Sequence, residues 1–208
     1  MKLTIVMGFF LPVPPVQGGA TEKSWDRLAT LLAERGHEVT VISRRWPGWP
    51  DQEVIAGVRH LRLGGFNHRK SLGMNLLLDA IWSLRVRRRV PPSDVTVIHA
   101  VTLPAIIGRG ARRWGKVVVM PGRMPKGQYR FYRNVDRVMA TSSVVRDRVI
   151  RENPNLAERI RVVGYPIDCD TFASARRLTD PAAPVTIGYV GRIHPEKGVS
   201  LLAEAAAK

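Results

Sequence analysis

The chain has 208 residues, 45% hydrophobic and 24% charged, the composition of a globular protein rather than a disordered or fibrous one. Its formal net charge of +16, with arginine as 26 of the 33 basic residues, favours phosphorylated substrates, lipid headgroups or nucleic acid as partners, although genomic base composition also produces such a bias. The single cysteine, Cys169, excludes an internal disulfide and a cysteine-based zinc site, fits a reducing cytosol, and no apolar run reaches the roughly 18 residues of a membrane span.

In chain order, KLTIVMGFF reads as a buried first strand. A lysine, an apolar run and GGA also imitate a short signal peptide, but the residues after them continue the logic of a fold. The loop GFFLPVPPVQGGATEKSW is long for a strand-to-helix connection. Periodicity predicts a helix over 21–35, with Trp25, Leu28, Ala29 and Leu32 as its apolar stripe and Glu22, Lys23, Asp26 and Arg27 elsewhere on the wheel. Gly36 ends it before the strand EVTVI, and VRHLRL is the next strand. The next helix, over 75–90, has Leu76, Leu77, Ala80, Ile81 and Leu84 as its expected apolar face, Trp82 at a rim, and Arg85, Arg87, Arg88 and Arg89 at its C-terminal end. Strands VTVIHA, GKVVVM and RVMATS, the helix SVVRDRVIREN and the strand RIRVVG complete the series.

Such alternation predicts an α/β fold with a doubly wound, Rossmann-like parallel sheet, whose ligands bind beyond the C-terminal ends of the strands. The polar, proline-bearing stretch SARRLTDPAAP divides the chain into a domain over 1–174, a linker over 175–184 and an incomplete second Rossmann-like domain over 185–208. That last part offers one strand, 186–190, one turn and one helix, too little to enclose a core.

Three places carry chemistry on their own residues. Gly18 and Gly19 let the backbone approach a ligand at the mouth of a helix whose free N–H groups suit an anion; the alternative is a flexible turn. His99 ends a strand where a site is expected, although a lone histidine in an apolar run is more often a satisfied core residue. Arg192 and Lys197, five residues apart in GRIHPEKG, can converge on a diphosphate or form a solvated basic turn. The basic helix over 75–90, with Trp46 and Trp49, raises a membrane-surface reading against that of a helix packed on the sheet. DCD (Asp168, Cys169, Asp170), the Glu196/Glu204 spacing, GGFNHRKS and GRGARRWG imitate known motifs without completing them.

Taken in order, the Gly18-Gly19 loop, LATLLAERGHEVTVIS, DVTVIHA, VDRVMATSSVVRDRVI, RIRVVGYPIDCDTF and IGYVGRIHPEKGVSLLAEA resemble the retaining GT-B glycosyltransferases of family four. The resemblance implies two Rossmann-like domains facing across a cleft, and transfer of a sugar from a nucleoside diphosphate sugar to an acceptor without an obligatory metal or a further cofactor. Gly19 would then present its N–H to the donor phosphate, His99 would lie against the donor sugar, and Arg192 and Lys197 would grip the diphosphate. Tyr165-Pro166 stands where relatives usually carry Asn-Gly, and VMPGRMPKG lacks a frequent histidine, leaving Arg123 and Lys126 as candidate acceptor-side cations. The family's carboxylate segment and base pocket fall beyond position 208, so the expectation is a piece of a transferase, weakly active or inactive alone, whose other half lies further along the frame or on another chain. An anionic or lipid-linked acceptor, peripheral contact with an anionic membrane, and a cytoplasmic site at its inner face are expected, with no specific nucleic acid. The alternative reading is a non-catalytic basic module for nucleic acid or anionic membrane.

Overall fold

A computed structural model of the protein describes residues 1–108, 112–167, 169, 186–191 and 193–207. It divides into two units, Met1–Pro166 and Ile167–Lys208. The first is built on an eight-stranded sheet of β1 (Lys2–Val6), β2 (Glu38–Arg44), β3 (Gln52–Ile55), β4 (Val58–Leu63), β5 (Val95–Ile98), β6 (Lys116–Val119), β7 (Arg137–Ala140) and β8 (Ile160–Val162), in the order β3-β4-β2-β1-β5-β6-β7-β8. Every pairing is parallel except β3 with β4. The doubly wound α/β architecture expected from the alternation of elements is therefore present, with one antiparallel edge hairpin in addition. QEVI escaped the strand pattern because an edge strand with a largely exposed burial pattern carries no apolar alternation.

Both faces of the sheet are buried, and alternate residues of each central strand serve different layers. Leu3 and Ile5 of β1, Val39 and Val41 of β2 and Val97 of β5 pack with Trp25 and Ala29 of α1 (Ala20–Glu34). Val6, Ile42 and Ile98 point the other way, toward Trp82 and Val86 of α2 (Leu72–Arg89), and the same layer holds Val145 and Val149 of α4 (Ser143–Glu152). The short α3 (Leu103–Ile106) follows β5. Ser71 and Ser142 cap α2 and α4, accepting from the Met74 N–H at 3.4 Å and the Val145 N–H at 3.3 Å.

Two expectations about helix faces are corrected. On α2 the buried residues are Asp79, Trp82, Ser83 and Val86, while Leu76, Leu77 and Leu84 are exposed. Trp82 is fully buried rather than at a rim, and its Nε1 donates to the Met7 carbonyl at 3.1 Å. Hydropathy selected the wrong side because the inward polar residues have partners in the fold. On α1, Glu22 is buried with Trp25 instead of lying on a solvated face.

In the second unit, Pro195–Lys197 forms a 3₁₀ turn and Val199–Ala206 forms α5, which buries none of its residues. Residues 186–190 form no strand, contrary to expectation, and Ile187 and Val190 are exposed. A strand exists by pairing its backbone N–H and C=O groups with another strand, and this segment is not among the strands of the sheet. The predicted linker over 175–184 and Asp168 lie outside the described residues.

Candidate functional site at the switch point

From β1 the chain winds through β2 to the β3–β4 edge, then returns to place β5 on the other side of β1. The reversal opens a crevice at the C-terminal ends of β1 and β5, the position at which doubly wound sheets bind ligands. The two ends are joined directly, since the His99 N–H donates to the Val6 carbonyl at 2.8 Å.

Gly18 and Gly19 lie on the β1 side with φ of 80° and 99°, a region that L side chains seldom enter. A Cβ on Gly19 would run into the Glu22 carboxylate and would sit 2.9 Å from Leu11 Cδ1. Gly19 is the N-cap of α1 and supplies no side-chain cap, and the Glu22 carboxylate lies beside it at the first turn of this 15-residue helix. Glu22 stands in that first turn, and burial pushes its carboxyl above the usual range against the opposing effect of its own backbone N–H.

Across from it, both imidazole nitrogens of His99 are sealed from solvent and have no hydrogen-bond partner among the described residues, although the residue as a whole is only partly buried. Its ring meets Trp25 edge-on, with centroids 5.1 Å apart and planes at 65°. Burial lowers its pKa to about 3, so the imidazole is neutral throughout the physiological range.

The loop that carries His99 is held by groups hidden inside the fold. Asp79 accepts from the Thr102 N–H at 2.7 Å, the Thr102 hydroxyl at 2.7 Å and the Val101 N–H at 3.3 Å. Ser83 Oγ and Thr102 Oγ1 are 2.8 Å apart, and the Tyr132 hydroxyl donates to the Val101 carbonyl. Burial raises the Asp79 carboxyl, while the bonds from Thr102, Val101 and Ser83 oppose that shift.

Arg44 ties the neighbouring loops together, donating to the Phe10 and Phe66 carbonyls at 2.9 and 3.1 Å and to Asn67 Oδ1 at 2.8 Å. Arg123 and Lys126 are both exposed on the loop after β6. The preceding Gly122 borders Thr21 of α1, a Cβ there lying 3.7 Å from Thr21 Oγ1. Glu152 anchors the far end of this loop, accepting from the Gly127 N–H at 2.7 Å and the Tyr129 N–H at 3.2 Å. The Tyr165 hydroxyl lies 3.5 Å from Thr21 Oγ1, so the Tyr-Pro departure reaches the start of α1.

Gly18, Gly19 and His99 thus lie on the loops that follow β1 and β5, with Arg123 and Lys126 on the loop after β6. Lys197 belongs to the second unit, and Arg192 lies outside the described residues. Trp46 and Trp49 are engaged by cations, Arg44 at 5.7 Å and Arg62 at 4.6 Å from the ring centroids. Sequence reasoning missed Trp25 as the partner of His99 and Asp79 as the holder of its loop. The signal for Asp79 was an acid in the middle of an apolar helix with no basic residue at i±4.

This geometry defines a doubly wound α/β domain with a glycine-bearing loop between β1 and α1 at its switch point. Sucrose-phosphate synthase from Thermosynechococcus elongatus has a similar fold, with a TM-score of 0.63 at 18% identity, over 99% of this chain and 59% of that one. Residues 18–171 match the family model described as Glycosyltransferase Family 4, and the chain belongs to that family. Among curated relatives, the GDP-mannose-dependent alpha-mannosyltransferase of Mycobacterium tuberculosis (strain CDC 1551 / Oshkosh) is 27% identical over 100% of this chain and 60% of its own length. The lipopolysaccharide core biosynthesis glycosyltransferase LpsE of Rhizobium meliloti (strain 1021) is 26% identical over 91% and 53%. Spore coat protein SA of Bacillus subtilis (strain 168) is 36% identical over 76 residues, 20% of that protein. The chain therefore spans no more than 60% of the length of these curated relatives.

Proposed function

We propose that this family member serves sugar transfer from a nucleoside diphosphate sugar to an acceptor hydroxyl, with retention at the anomeric carbon. The observation that carries the reading is the pairing of the glycine-bearing start of α1, which has no side-chain cap from Gly19, with the sealed, neutral imidazole of His99 just after β5, whose ring packs on Trp25 of the same helix. The helix N–H groups at Gly19 would take a donor phosphate oxygen. His99, uncharged, would act as a hydrogen-bond partner of the donor sugar rather than as a cation.

In the reaction the bond from the anomeric carbon to the diphosphate oxygen breaks and a bond to the acceptor oxygen forms on the same face. The acceptor proton passes to the departing diphosphate, so stabilising the leaving group matters more than a protein nucleophile. Arg192 and Lys197 are assigned to that task, and Arg123 and Lys126 to an anionic or lipid-linked acceptor. A relative named as GDP-mannose-dependent supports the donor class. Membership of a glycosyltransferase family favours this reading over a non-catalytic basic module.

The test is an assay on the product of the whole reading frame, with the anomeric configuration read by NMR. A retained product is expected, with kcat/KM falling about a hundredfold in His99→Ala and in Arg192→Ala. An inverted product removes the mechanism, and undiminished transfer in a variant removes that residue from the site. Salt-sensitive DNA binding indifferent to nucleoside diphosphates, with no transfer, would support the basic module instead.

A further inference from the structure

Away from the crevice, a groove of about 530 Å³ runs between the β3–β4 edge and the C-terminal half of α2. It is lined by Arg45, Arg59, Arg62, Arg85, Arg88 and Arg89, and shares no residue with the loops that carry Gly18, Gly19 and His99. Two of the six charges are matched within the fold. Arg45 pairs with Asp51 and Arg62 with Glu53. The other four are not. Arg59 donates to the neutral Gln52 Oε1 at 3.1 Å, and Arg85 to the Gly64 carbonyl, with the Phe66 ring 4.9 Å from its guanidinium carbon. Arg88 and Arg89 have no partner among the described residues.

The C-terminal end of α2 favours cations, but a helix end carries only about half an elementary charge and cannot balance four guanidiniums. A second observation points the same way. The Arg62 side chain is fully buried beside the groove, donates to the Pro50 carbonyl at 2.9 Å, lies under Trp49, and still leaves its Nε without a hydrogen-bond partner. Arginine forks match phosphate oxygens in pairs, and a partly enclosed groove is screened less than an open surface.

We infer that this groove is a binding site for a phosphate-bearing ligand, separate from the crevice at the switch point. The group it takes is a phosphomonoester or pyrophosphate held by Arg59, Arg85, Arg88 and Arg89. The ligand is either a soluble phosphate or an anionic lipid headgroup, and α2 exposes Met74, Leu77 and Leu84 on its outer side for the lipid case.

The site is tested on the 208-residue chain by following the arginine Nε–Hε and backbone resonances by NMR at fixed ionic strength. One arm titrates sodium pyrophosphate against sodium chloride; the other compares vesicles of phosphatidic acid in phosphatidylcholine with phosphatidylcholine alone. Saturable shifts at Arg85 and Arg88 are expected with one of the two phosphate sources, and the responding source identifies the ligand type. Arg88→Gln/Arg89→Gln, exposed changes that leave the core intact, should weaken that binding about tenfold or more. Shifts confined to Gly18 and Gly19, no response in either arm, or equal affinity in the double variant would overturn the assignment.

Discussion

A buried imidazole that lacks partners on both nitrogens costs free energy, because its N–H and lone pair lose water and gain nothing. His99 is in that position at the crevice, and His60 resembles it in β4, with Nδ1 unpartnered. Burial, followed by the neighbouring Arg62 charge, lowers His60 to about 4, with Glu53 and the Val13 backbone opposing; burial alone lowers His99 to about 3. In the unfolded chain both take up a proton near 6.5. Between those values the unfolded state binds more protons, so stability is full above 6.5 and is lost as pH falls through the window. The slope approaches about 1.4 kcal/mol per pH unit for each histidine. Glu22 and Asp79, whose carboxyls are raised by burial, act in the opposite sense above the normal carboxylate pKa and flatten the acid end of the profile. Urea unfolding of the wild type and of His60→Gln between pH 7 and pH 4.5 checks this: the variant should lose less stability on acidification, and parallel curves would contradict it. His99 and Gly19 were legible because the sequence places them at the end of a strand and the mouth of a helix. The Trp25 contact was not, because Trp25 is separated from His99 by 74 positions and only the winding of the sheet brings them together.

Helix α2 shows where pattern reading turns around. Leu76, Leu77 and Leu84 face water, and the two polar residues that turn inward beside Trp82 and Val86, namely Asp79 and Ser83, serve the His99 loop. Burial of polar groups is tolerated when each finds a partner, so hydropathy alone cannot tell which face is the inner one. The consequence is a reversed mutational profile. Trp82→Ala should destabilise by about 3–5 kcal/mol through the cavity it leaves and the lost bond to Met7. Leu77→Ser, with 55% of the residue exposed, should stay within about 0.5 kcal/mol. Chemical denaturation of the two variants decides the matter, since the sequence-based face predicts a large cost for Leu77. The C-terminal limit of α2 matches the expectation because the arginine-rich last turn is a local signal, and the helix starts three residues before the expected position 75 because Ser71 caps it; orientation depends on partners 22 and 75 residues away.

For the molecule as a whole, a net charge of +16 means that like charges repel across the folded surface. Only six ion pairs are present among the described residues, most of them exposed and individually weak. Added salt should therefore stabilise: Tm is expected to rise between low and physiological ionic strength as repulsion is screened over about a Debye length of 8 Å. A Tm that fell with salt would mean that the ion pairs outweigh the repulsion. The sequence by itself determined the class of fold, the succession of the sheet's strands and main helices in the first unit apart from β3, and the glycine-bearing mouth of α1, because these rest on periodicity and on residues adjacent in the chain. Only the tertiary structure decided which face of α2 is buried, that Glu22 is enclosed, that 186–190 makes no strand, and that arginines from β4, α2 and the turn after β2 line one groove. Each of those depends on which distant groups meet, and pairing across a sheet is set by topology and packing that no local pattern contains.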